Sequence, residues 1–443
     1  MTEREAGLMA SVARVDGEGP AWLASIRREA AARLREGGFP GKKHEKWRFT
    51  SVREVVDTAF DTAFETASPD RGEALARWVD ERLGGGAGVR VVLAGGRLVS
   101  AAGELHGVHV ESLRAALERA PAELEPVLGA LAPREHFAAL NAALFEDGVL
   151  LRVTGAVERP IEIVHVARAG AATRGGAPTA AYPRVVVIAE PESRATLIET
   201  YLSEGGDLKH LTSAVTEITI GEAARLEHAR VVLGEERAFH LAYLAVRQER
   251  GSFYASRVVT LGGALSRLDL DVRLIGESAE AILEGVYHVD GTEHVDHQLS
   301  VEHAAPHTTS ATRYRGLLDG KGHAVLNAMG IVRPSAPGTA LTQENRNLLL
   351  SDDATIDTKP HLEIETDEVK ASHGATIGAV DDAALFYLRS RGIPEAEARD
   401  LLTFAFIREL LEHIPDEATA RRASEAVLSR LPSGARMRDE VAT

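Results

Sequence analysis

From about Leu150 to Val332 the chain is a succession of short β-branched runs with almost no helical period between them, and nothing else in the text constrains the fold as much. The runs include AVTEITI, ARLEHARVVL, HLAYLAVRQE, SFYASRVVTL, SRLDLDVRLI, AEAILEGVYHV and AVLNAMGIV, punctuated by Gly, Asp or Ser. So many short strands in series, without helices between them, mean an all-β sandwich, a barrel or a β-solenoid. AEAILEGVY and HAVLNAMGIV also read as a loose repeat of strand, small side chain and strand. That spacing suits stacked coils, each burying its apolar positions on its neighbours.

The flanks have helical chemistry. Ala21 to Glu36 sets Trp22, Leu23, Ile26, Ala30 and Leu34 at helical spacing before Gly37-Gly38 stops it. Between Leu75 and Leu124 helical and hairpin patterns alternate, and Asp147-Gly148 turns the chain into its first long strand region. The triplet Gly84-Gly85-Gly86 lacks the spacing of a phosphate loop and reads as a turn. After Ala371 helices return: Asp381-Asp382 caps one, Gly392 closes it and Pro394 opens the next. The divisions expected are a mostly helical region 1–148, a β core 149–370 and a helical region 371–443.

The helix from Pro394 to Ile414 carries Leu402, Phe406, Leu410 and Ile414 in one row and Ile407 and Leu411 in another. A helix apolar on more than one side needs more than one neighbour. Either its own domain supplies both, or a partner protein docks on it. Near the start, HEKWRFTS crowds rings among charges; it reads as an aromatic anchor that pins a loop to the body, with a recognition segment as the sharper alternative.

Composition removes several function classes. The 443 residues contain no cysteine, so disulfides, thiolate metal sites and cysteine nucleophiles are absent, and a cytoplasmic setting is the expectation. The formal net charge of −16 repels phosphate backbones and argues against nucleic acid. No stretch approaches the roughly 20 apolar residues of a membrane span, and the charged first residues lack the apolar run of a signal peptide.

Candidate chemistry falls in three places. Five histidines lie close together, His288, His294, His297, His303 and His307, with Glu293, Asp296 and Glu302 among them. Imidazole and carboxylate are ligands for zinc or iron, which gives a His-ligated metal-dependent enzyme on a solenoid or barrel as the alternative function. Strand parity opposes it, because His294 and His297 fall on opposite faces. Asp269 and Asp271 share a face and suggest paired carboxylates of a carbohydrate-active enzyme. Finally, Ser372-His373-Gly374 reads as a polar turn between a strand and a helix, with His373 free to bind metal or exchange protons.

The stretch NRNLLLSDDATIDTKPHLEIETDEVKASHGATIGAVDDAALFYLRSRGI closely resembles the C-terminal signature of the SufB/SufD family, scaffold proteins of the Suf iron–sulfur cluster assembly system. HEKWRFTS, NAALFEDGVLLRVTGAVERPIEIVHV and HVDHQLSVEHAAPHTTSATRYRGLLDGKGHAVLNAMGIV extend the likeness over most of the chain, and SHGAT at 372–376 is similar to the SufD branch. The resemblance implies a right-handed parallel β-helix flanked by helical N- and C-terminal domains. It implies a non-enzymatic scaffold in a complex with SufB, through the β-helix edge, and with the ABC-type ATPase SufC, which docks on the C-terminal helices at Leu402, Phe406, Ile407, Leu410 and Leu411. It also implies that iron or a nascent iron–sulfur cluster is handled at the SufB interface, with ATP acting only through SufC. Room is left for a reduced flavin and for a homodimer in isolation. His373 matches the family histidine proposed to contribute to cluster assembly, as a ligand to metal or cluster. The family often has cysteine two positions earlier, where this chain has Ala371, so sulfur ligands must come from elsewhere. Glu363, Glu365 and Asp367 are nearby candidate oxygen donors.

Overall fold

The computed structural model describes residues 6–13, 19–61, 69–85, 87–103, 106–131, 136–168, 178–204, 209–234 and 237–436. Its centre is a parallel β-solenoid of about seven turns. Each turn gives one strand to each of two sheets, and each strand pairs in parallel with the strand two places on. Arg267 therefore lies opposite Asp296, 29 residues away, and Asp296 lies opposite Val325 in the following turn. AEAILEGVY and HAVLNAMGIV lie in different sheets, so they are not equivalent positions of the repeat; the true repeat is the whole two-strand turn.

Alternation along each strand sends one row of side chains inward. Leu268, Leu270, Val272 and Leu274 form such a row on one strand, Val295, Leu299 and Val301 on the next of that sheet, and Leu283, Tyr287 and Val289 face them from the other sheet, all buried. Full burial of one such side chain stabilises by roughly 1.5–3 kcal/mol, so the stacked rows supply the main term. Two tyrosines key adjacent turns together. Tyr314 lies across from Gly285 and Tyr287 across from Gly316, and a β-carbon at either glycine would sit inside the opposing ring.

The outward faces are covered as well, which is why these strands read as near-continuous apolar runs. On one sheet Phe239, Leu241 and Leu265 meet Leu23, Leu34, Trp47 and Phe137 of the N-terminal region. On the other, Val231, Val259, Val286 and Leu317 meet Phe404, Ile407, Leu410 and Leu411 of the helix Glu395–Glu412. HEKWRFTS is the anchor its composition suggested. Trp47 is buried with the Arg267 guanidinium 3.6 Å from its ring centroid, and Arg267 donates to the Lys46 carbonyl at 2.8 Å.

Strands reach across both expected divisions, and the hairpin read at VRVVLAGGRLV is present. The N-terminal region is not only helical: Val89–Ala94 pairs in parallel with Ile161–Arg168, Arg97–Gly103 turns back antiparallel on it, and Val108–Ser112 pairs antiparallel with Val149–Val153. At the far end the last strand, Val369–Gly378, runs through the expected boundary, and the helices begin at Asp382. Ser372-His373-Gly374 is thus no turn. The three residues sit in mid-strand opposite Thr342, Gln343 and Glu344, because ladder pairing outweighs the weak strand preference of small polar residues. Asp381 does cap the next helix, accepting from the amides of Ala383 and Ala384. Gly86 lies outside the described residues.

Candidate functional site

The solenoid ends without a lid. Thr355–Ile364 pairs on one side with His323–Val332, and Val369–Gly378 on one side with Thr339–Leu349; among the described residues nothing pairs with the other edge of either. The inward rows can be followed to this end. Leu283, Thr312, Gln343 and His373 stand opposite one another on successive strands, so His373 continues an interior row. It is exposed only because no further turn covers it. Ile377 continues the row of Tyr287, Gly316 and Asn347 and is 51% exposed, and Ile364 stands opposite fully buried Val332 yet is 39% exposed.

One turn below, the interior changes from apolar to polar. Asn347 donates to Asn345 Oδ1 at 2.6 Å, the Thr358 hydroxyl donates to the same oxygen at 3.0 Å, and the Tyr287 hydroxyl donates to Asn347 Oδ1. A row of carboxamides bonded to each other can sit beneath water or another polar surface without leaving donors unmade. This is how the uncovered end differs from an interior turn.

The end does not hold a complete ligand set. Glu363 and Glu365 turn toward Arg333, at 3.8 and 3.4 Å, rather than toward His373. Among the described residues no group of three or more His, Asp or Glu side chains is placed to hold a metal ion. His373 brings one ring nitrogen, and the chain has no thiol to add to it. His373 alone is not a complete metal site.

The other candidates disperse. His294 contacts Thr50 at 3.0 Å on the outer face while His297 contacts Thr260 at 3.1 Å inside, on opposite faces as strand parity requires. His303 is held inside by Thr308 and Ser310, and His288 is buried beneath the C-terminal helices near Arg430. Burial lowers His288, His294 and His297 to about 3 and His303 to about 4, so all four stay neutral. These are core histidines. Asp269 is tied to Arg267 through both oxygens at 2.8 Å, and Asp271 accepts from the Tyr243 hydroxyl, so the pair holds no free acid and base.

A buried carboxylate escaped sequence reading. Glu199, inside the solenoid, accepts from Tyr201 at 2.8 Å and lies 3.1 Å from both His165 Nε2 and His228 Nε2. Burial opposes its ionisation, but hydrogen bonds from and the charge of His165 and His228 outweigh that and hold it well below the usual carboxylate range. The four residues come from three consecutive turns, a relation no local window reveals.

The C-terminal helices also depart from expectation. Ile407, Leu410 and Leu411 are buried in the chain's own core, and Leu402 and Phe406 are only partly accessible. Arg315 donates to the Phe406 carbonyl at 2.6 Å and Arg257 to the His413 carbonyl at 3.2 Å, fixing the helix to the solenoid flank. The open apolar surface is one helix earlier, where Phe386 is 72% and Tyr387 56% exposed.

The model of the SufBD core domain of the SUF iron–sulfur cluster assembly system matches residues 171–406. The chain belongs to the SufBD family. Within that family it is similar to the iron–sulfur cluster assembly protein SufD of Escherichia coli, 30% identical over 90% of this chain and 91% of that one. It is 28% identical to a SufBD family protein of Synechocystis over 97% of this chain and 95% of its relative, and 26% identical to SufD of Bacillus subtilis over 64% of each. The SufBD core match begins at residue 171, outside the described residues, and runs into the helix Glu395–Glu412. Among the described residues no helix is long and apolar enough to cross a membrane. Ile364, Ile377, Phe386 and Tyr387 were not legible as a SufBD surface, because an apolar residue in a strand or helix reads the same whether covered or bare. For Ile364 and Ile377 the missing signal is the absence, among the described residues, of a next turn.

Proposed function

We propose that this chain is the SufD-like scaffold subunit of a complex with a SufB-like chain and a SufC-like ABC ATPase, in which iron or a nascent iron–sulfur cluster is handled at the SufB-like interface. The observation that carries this reading is the uncovered last turn. Unpaired parallel edges with interior residues exposed are an aggregation hazard that folded proteins cover, and a second β-helix of similar gauge is the natural cover. His373, exposed in mid-strand, then contributes a nitrogen ligand at the junction, and sulfur ligands come from the other chain or from sulfide. A homodimer of isolated chains would use the same edges.

The helical domain is the ATPase platform. Phe386 and Tyr387 are its exposed rings and Leu402 and Phe406 are partly accessible, whereas Ile407, Leu410 and Leu411 hold the platform to the solenoid. ATP binding in the partner moves the platform, and the motion reaches the open end where the cargo sits. Reduced flavin, if it takes part, acts at that junction.

The test is co-purification from the native host followed by cluster reconstitution. Tagged chain is expected to bring down a SufB-like chain and an ABC ATPase, and His373→Ala to leave the fold intact while lowering cluster yield severalfold. Recovery of neither partner would sink the scaffold reading, and unchanged yield would remove His373 from the site. Stoichiometric zinc or iron in the isolated chain would favour the enzyme alternative instead.

A further inference from the structure

The Glu45–Thr50 segment does more than anchor a loop, because it overhangs the open end. Glu45 reaches Lys359 of the last strand of its sheet with an N–O distance of 2.8 Å, and Thr50 bonds to His294 two turns earlier on that sheet. Between the segment and the outer face of the sheet lies a groove of about 300 Å³, walled on one side by Arg48 and Phe49 and on the other by Val325, Asn327, Asp357 and Lys359. Phe49 is 45% exposed, with the Arg48 guanidinium 5.4 Å from its ring centroid. Trp47, two residues earlier, is buried in the core, so Phe49 is the ring of this motif that stays partly exposed.

A strand added to the free edge of Thr355–Ile364 would lie about 4.8 Å beyond it. Its outward side chains would then emerge beside Asp357 and Lys359, at the mouth of this groove. We infer that Glu45–Thr50 is a side wall of the partner-binding end, and that the SufB-like chain whose strand extends this edge places an apolar side chain against Phe49. This rests on the proposed pairing at the open edge, with which the groove is continuous. A partly exposed aromatic in a concave wall, stacked by arginine, has the composition of an interface anchor.

The experiment measures binding of the full chain to the purified SufB-like subunit by sedimentation or calorimetry. Phe49→Ser is expected to weaken binding about tenfold with an unchanged thermal transition, Phe49→Leu to restore most of it, and Ile377→Lys to weaken it further than Phe49→Ser. Weakening by Ile377→Lys with Phe49→Ser at wild-type affinity would overturn the side wall and leave edge pairing standing. No binding by the wild-type chain, or indifference to Ile377→Lys, would overturn edge pairing and the side wall with it.

Discussion

At its first turn the solenoid is closed by strands that reverse direction, Arg97–Gly103 on one sheet and Val108–Ser112 on the other, whereas at its last turn Thr355–Ile364 and Val369–Gly378 finish in bare parallel edges. Side chains of the inward rows register the difference. Val91, Leu151 and Ile163 at the first end are wholly buried, while Ile364 and Ile377 at the last are open. Composition follows the difference: Val89–Ala94 and Val149–Val153 are mostly apolar, whereas Val369–Gly378 carries Ser372, His373 and Thr376. What separates the two ends is whether the chain itself goes on to supply a cover.

The contrast breaks most directly by placing a charge at each end. Leu151→Asp buries a carboxylate without a partner and is expected to destabilise the fold by about 4 kcal/mol or more. Ile377→Lys meets water and should change stability by less than about 0.5 kcal/mol. Urea unfolding of the two variants decides it, and equal losses would mean that the last turn is covered within its own chain.

The middle of the solenoid provides the next test. Glu199→Ala leaves His165, His228 and the Tyr201 hydroxyl facing a site built for a carboxylate, and a loss of about 3 kcal/mol is expected from breaking this buried network. A neutral result would show that the network contributes nothing net to folding. An acid titration extends the comparison. His288, His294, His297 and His303 fold neutral, with values of about 3 to 4, below the ordinary imidazole. The unfolded chain therefore binds more protons below about pH 6.5, and stability falls as pH drops, by about 1 kcal/mol per imidazole between pH 6 and 5. Unfolding midpoints that do not move between pH 7.5 and 5 would contradict their burial as neutral rings.

The smallest effect belongs to the platform. Phe386→Ser removes an exposed ring and should leave the thermal transition in place while, on the docking proposed above, weakening capture of an ABC ATPase about tenfold, as read by calorimetry. Ile407→Ser should instead lower the transition itself, since Ile407 is fully buried. If both variants lost only ATPase binding, the division between platform surface and platform core would fail.

Much of the architecture was legible from the short runs between Leu150 and Val332, because period and punctuation are local. Parity separated His294 from His297 correctly for the same reason. The repeat was misjudged because consecutive strands belong to different sheets, and likeness has to be sought one whole turn away. His373 was legible as a residue to watch through the family signature, but its place in mid-strand was not, since Ser-His-Gly has turn chemistry and only the ladder with Gln343 overrides it. The helix Glu395–Glu412 shows the converse limit. Its two apolar rows announced two neighbours, and one of them was the chain's own solenoid, a fact that side-chain spacing does not contain.

The interlocked pair Tyr287 and Tyr314 bears on how force travels. Arg257, Glu284 and Arg315, which tether the C-terminal helices, lie on the same run of strands as the two rings and the glycines that seat them. A pull on those helices loads the strands in shear. Each ring blocks its neighbour strand from sliding along its row, because two places on either side of the glycine stand the inward side chains Leu283 and Tyr287, or Tyr314 and Leu318, which would strike it. Turns keyed in this way resist shear together, and their ladder continues through Thr339–Leu349 to the strand that carries His373.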